Sequence, residues 1–139
     1  MAAVRSLPPA LDQALFQGSS RGGARPKEEI EGGDRKYIAK FSSSTDTYNV
    51  VKAEYVAMRL AADLGLQVAP VHLKRVAGKD VLLVERFDRE KAGDGWTRKA
   101  MVSALTLFEL DEMMARYASY ETLAEIIRHR FTEPTVTLH

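Results

Sequence analysis

The sequence predicts an α+β fold: a twisted antiparallel sheet crossed by one helix, followed by a short helical segment. Three observations predict it. Two pairs of β-rich runs are each joined by a short glycine-bearing turn. One pattern of helical period lies between the pairs, and after residue 96 the β-type runs give way to short helical ones.

In the first pair, EEIEGGDRKYIAKFSS reads as a strand, a turn at Gly32-Gly33-Asp34 and a second strand over Arg35 to Phe41. Ser42 to Asp46 is a polar loop of the kind that precedes helices, and the pattern is helical from Thr47 to Leu64. There Val50, Ala53, Ala57, Leu60, Ala61 and Leu64 recur at steps of three and four, predicting the buried face, and Gly65 suits a left-handed stop. VAPVHLKRV and DVLLVERF, joined by AGK, predict the second hairpin. EKAGDGW, residues 90–96, reads as a connector. Two or three short helices follow within 97–131, one near Arg98 to Leu107 and one starting after Ser119, an N-cap with Glu121 in the first turn. Met101, Leu105, Leu107, Met113 and Ile127 are expected to present apolar surface there, and Pro134 to stop a helix. Residues 1–17 read as a short leader in which Pro8 and Pro9 open a turn or two of helix.

Composition removes several function classes. With 139 residues, 20 cations and 19 anions, the chain suits one domain whose net charge of +1 gives no field for general attraction to nucleic acid. It has no cysteine, and His72, His129 and His139 are too scattered to form a metal cluster, so no metal site is expected. No stretch has the run of about 20 apolar residues of a membrane span, and the first residues lack a signal peptide's apolar core. A cytoplasmic location and no membrane partner are expected.

Chemistry concentrates in four places. GSSRGGARPK, Gly18 to Lys27, is open to being a linker, a binder of anionic surfaces, or a loop closing over a phosphate chain. It is not a Walker A loop, because Ala24 and Arg25 stand where lysine and a hydroxyl residue are required. It does have cradle ingredients: Gly22 and Gly23 allow close backbone approach, and Arg25 and Lys27 supply charge. In KYIAKF, alternation puts Ile38 and Lys40 on one face, so Lys40 is a charged member of an otherwise apolar stretch, Tyr37 to Phe41. Lys36 lies on that face too, about 13 Å from Lys40 by strand rise. Glu54 borders the helix stripe and can meet Lys40 as an ion pair. LLVERFDR, residues 82–89, leads toward the helical region; it reads either as an interlobe hinge or as a strand ending in a surface charge cluster, Glu85-Arg86-Asp88-Arg89.

Strand lysine followed by helix glutamate is the order found in kinase small lobes. With GSSRGGARPK, YIAKFSS, NVVKAEYVAMRLAADLGL followed by VAPV, and LLVERFDR in this order, the chain from Leu7 to Glu133 resembles HipA-family serine/threonine kinases, toxin components of type II toxin–antitoxin systems. The resemblance implies a kinase-like small lobe over 18–89, a hinge or connector over 90–96 and the truncated helical start of a large lobe over 97–139. It implies ATP as cofactor, with Gly22, Gly23, Ala24, Arg25, Pro26 and Lys27 as the nucleotide loop and Lys40 as the phosphate lysine. Glu85, Arg86 and Phe87 match the adenine hinge, where the backbone of Glu85 and Phe87 would pair with the base. Ser20 matches the family's autophosphorylated loop serine. The family's catalytic aspartate, asparagine and metal-binding aspartate have no counterparts: the one asparagine is Asn49, and only Asp94 and Asp111 follow Arg89. No catalytic residue is therefore expected in this chain, Mg²⁺ is expected only with the missing large lobe, and the chain alone is expected to be inactive. An antitoxin or a complementary large-lobe polypeptide is the implied partner. The alternative is a non-catalytic binding or regulatory module for a partner protein or nucleic acid.

Overall fold

The computed structural model describes residues 27–43 and 46–138. The leader, Ser20 and the loop residues Gly22, Gly23, Ala24, Arg25 and Pro26 lie outside the described residues. The chain divides after Lys99 into two compact units.

The first unit contains a four-stranded antiparallel sheet in the order β1-β2-β4-β3, built from the two expected hairpins. β1 (Lys27–Gly32) and β2 (Arg35–Phe41) are joined at Gly33-Asp34, and β3 (Val71–Val76) and β4 (Lys79–Glu85) at Ala77-Gly78. The second turn is two residues long, with positive φ at Ala77 (48°) and Gly78 (77°), the backbone that matches strand twist in a tight hairpin. β4 pairs with both β2 and β3, and as the inner strand it buries Val81, Leu82 and Leu83 in succession.

Helix α1 (Val50–Asp63) starts about a turn later than the pattern suggests, at Asn49, whose side chain accepts from the Lys52 N–H. It ends with Gly65 (φ 83°) donating to the Ala62 carbonyl and Leu66 to that of Ala61, satisfying the last carbonyls. Its buried face differs from the expected stripe. Val51, Tyr55 and Met58 pack on Leu82, Val71, Leu73 and Val84, whereas Ala53, Ala57, Leu60 and Leu64 are exposed, Leu64 to 81%. Alanine-rich helices carry apolar residues around much of their circumference, and the sheet takes the face whose bulkier side chains fill the space above it.

The other sheet face carries a separate cluster of Ile30, Tyr37, Ala39, Phe41, Val81 and Leu83. Residues 90–96 are not a plain connector: β5 (Arg89–Ala92) and β6 (Gly95–Arg98) form a second, two-stranded sheet, so no helix begins at Arg98.

The second unit holds α2 (Ala104–Leu107), a 3₁₀ segment (Glu112–Tyr117), α3 (Tyr120–Arg130) and α4 (Pro134–Leu138). Ser103, Asp111 and Ser119 cap the first three by accepting from the N–H groups of Thr106, Met114 and Thr122. Pro134 opens a short helix rather than stopping one, because proline's missing N–H costs nothing in a first turn. Met101 and Met113 are exposed as expected, Leu105 and Leu107 are half-buried, and Ile127 is buried. Among the described residues no helix is long and apolar enough to cross a membrane.

Candidate functional site

Register decides which side chains share a surface. Lys40 is the ladder partner of Leu82, and Ile38 of Val84, so both leave the sheet on the face that carries α1. Lys40 Nζ donates to Glu54 Oε1, linking the strand to the helix. Both side chains remain over one third exposed, so the link is open to solvent and to an incoming anion. Lys27, the first residue of β1, is the ladder partner of Lys40 on its other side and shares the same face. Two ammonium groups directly opposite each other repel, and the Glu54 carboxylate offsets only one of them.

Along this face of β2 the order is Lys36, Ile38, Lys40, beside Arg86, Val84 and Leu82. The half-buried Ile38 and Val84 thus form an apolar step between the charged end of β4 and the lysine pair. At that end Glu85 places its side chain on Arg35 (2.6 Å), and its N–H donates to the Pro70 carbonyl (2.9 Å). Arg86 continues the ladder, its N–H donating to the Lys36 carbonyl at 2.7 Å. Phe87 is 64% exposed.

The Arg86 side chain is committed elsewhere. Its Nε and Nη2 fork onto Asp88 Oδ1 and Oδ2 at 2.9 and 2.6 Å, and its Nη1 reaches Glu29 Oε2 at 2.5 Å. Arg89 also bonds Asp88, while Lys36 holds Glu29 at 2.7 Å and stands over the Trp96 ring, which faces Lys91 as well. The Glu85-Arg86-Asp88-Arg89 run is therefore not a surface cluster, since Asp88 is only 4% exposed. Nor is Lys36 a bystander near Lys40. Sequence reasoning missed Asp88, Glu29, Lys36 and Trp96 as parts of this end of the site; an acid flanked by arginines two residues before and one after was the available signal.

The charges hold one another in place. The Arg86 hydrogen bonds, reinforced by the Arg86 and Arg89 charges, hold the Asp88 carboxyl at about 2, below its ordinary 3.8. The Lys36 hydrogen bond lowers Glu29, and Asp88 raises Arg86. Because the folded Asp88 value lies below the unfolded one, its contribution is complete above about pH 4 and is lost as pH falls toward 2. Denaturant unfolding between pH 6 and pH 2.5 is expected to show up to about 2 kcal/mol lost through Asp88. Asp88→Asn should flatten that profile; an unchanged acid slope in the variant would assign the loss to other carboxylates.

Residues 19–138 match the model of the HipA-like C-terminal domain family. A 58-residue stretch, 42% of this chain, is 43% identical to Y4mE of Sinorhizobium fredii, a candidate kinase by its name, of which it covers 12%. A chain from the Shewanella oneidensis MR-1 toxin–antitoxin complex of HipA, HipB and operator DNA shares the fold, with a TM-score of 0.59 at 20% identity. That match covers 85% of this chain and 34% of the other, so the chain spans a minor part of both relatives. The family match extends over most of the sequence, from before β1 through α4, and the chain belongs to the HipA-like C-terminal domain family.

Proposed function

We propose that this chain is the ATP-binding portion of a HipA-like serine/threonine kinase toxin. The observation that carries the reading is the shared face of the sheet: Lys40, held by Glu54 and opposite Lys27, one apolar step of Ile38 and Val84 away from the end of β4. Ammonium groups suit phosphate oxygens, an apolar step suits the face of an aromatic base, and the backbone of Glu85 and Phe87 suits the base's polar edge. Gly22, Gly23, Ala24, Arg25 and Pro26 would complete the phosphate loop ahead of Lys27, with Ser20 as its autophosphorylation site.

On this reading the chain captures the nucleotide. Orientation of the acceptor hydroxyl and binding of Mg²⁺ belong to a large lobe, so residues 1–139 alone transfer no phosphate. An antitoxin is the regulatory partner, in a cytoplasmic toxin–antitoxin system.

Titration of a labelled ATP analogue tests the assignment. Lys40→Met keeps the apolar stem and removes the charge, and it is expected to weaken binding about 10- to 100-fold, the worth of a charge-assisted hydrogen bond. Lys79→Met, in an exposed position beside the β3–β4 turn, should bind as the parent chain does. Equal affinities for the two variants would remove Lys40 from the site.

A further inference from the structure

We propose that Pro70 is a positioning residue that keeps the Glu85 carbonyl open to a ligand and so selects adenine over guanine. The inference rests on the nucleotide-binding reading above and adds the source of its base preference.

β3 and β4 pair in antiparallel register with Val71 opposite Val84, which places Pro70 opposite Glu85. The Glu85 N–H donates to the Pro70 carbonyl, so this is a position where two residues ordinarily exchange both N–H···O bonds. The return bond cannot form, because proline has no N–H. Toward β2 the bonded pairs are Arg86–Lys36 and Val84–Ile38, so the Glu85 carbonyl faces Pro70 instead, and no turn or loop N–H among the described residues donates to it. That acceptor stays open at the end of β4, just ahead of the start of β3 and beside an exposed Pro70.

Two residues on, the Phe87 N–H donates to no described residue. Arg86 between them is fixed through its N–H on Lys36 and its side chain on Asp88 and Glu29. β4 ends at Glu85 and Phe87 opens the turn that follows, so the acceptor and the donor lie two residues apart at the end of the strand. An acceptor followed by a donor complements adenine, which offers an amino donor and a ring-nitrogen acceptor. Guanine offers a carbonyl acceptor and an N–H donor there, and would set acceptor against acceptor. Any residue other than proline at position 70 would supply an amide that competes for the carbonyl.

The test uses the full chain and Pro70→Ala. Amide hydrogen exchange reads the structural half without nucleotide: the new amide at position 70 is expected to be protected by the Glu85 carbonyl. Titration with labelled ATP and with purine riboside triphosphate, which lacks the amino group, reads the other half. Pro70→Ala should weaken ATP binding about tenfold, the worth of one hydrogen bond, and leave the purine riboside triphosphate unchanged. A freely exchanging amide overturns the proposal, as does an equal loss for both nucleotides or none for ATP. Failure of the parent chain to bind either triphosphate overturns the nucleotide reading itself, together with the base selection built on it.

Discussion

Replacing Arg86 with methionine is expected to lower stability by about 3 kcal/mol at neutral pH, the low end for breaking a buried ion pair. Among the described residues Asp88, almost wholly buried, would keep its charge with Arg89 as its one remaining side-chain partner, and Glu29 would keep only Lys36. The low end applies because the Arg86 and Glu29 side chains are about one fifth and one quarter exposed, so solvent screens part of the attraction. Denaturant unfolding at pH 7 measures the loss. It should shrink toward pH 2, where protonation of Asp88 removes the stranded charge. A variant within about 1 kcal/mol of the parent would mean that the Asp88 cluster does not anchor the end of β4. The same anchor fixes the backbone of residues 85 to 87, so loss of Arg86 should also weaken nucleotide binding while leaving Lys40 and Glu54 in contact.

Leu82→Ala is expected to cost about 2–5 kcal/mol, the range for truncating a buried leucine in a close-packed core. Leu82 is fully buried, packs between the sheet and Val51 of α1, and is the ladder partner of Lys40. A cavity at that point loosens the seat of the helix that carries Glu54, so stability and the Lys40–Glu54 link should fall together. Leu64→Ala, at the exposed end of the same helix, should change stability by less than about 0.5 kcal/mol. Thermal or denaturant unfolding of the pair measures which face of α1 is buried. A larger loss for Leu64→Ala than for Leu82→Ala would restore the stripe that periodicity alone suggests.

Features that rest on local chemistry are legible in the residues alone. Glycines at 33, 78 and 65 mark two hairpin turns and a helix stop because L side chains avoid positive φ, and Ser119 caps α3 through a contact three residues long. Alternation along KYIAKF put Ile38 and Lys40 on one face without any knowledge of their neighbours. Which face that is became legible only in the folded chain, where pairing with β4 and the docking of α1 set Lys40 against Glu54. The helix's own buried side was equally undetermined: Val51, Tyr55, Met58 and Ala53, Ala57, Leu60, Leu64 are both at helical spacing, and periodicity cannot rank two apolar faces. The β5–β6 hairpin is not legible in the sequence because its strands are four residues long and half of their residues are charged, the one large apolar side chain being Trp96 under two ammonium groups. Glu29 and Arg86 are 57 residues apart, so no local pattern could join them. Burial of Asp88, and with it the open carbonyl of Glu85 opposite Pro70, depends on strands brought together by the whole sheet, since hydrogen-bond partners across a ladder are chosen by register and not by proximity along the chain.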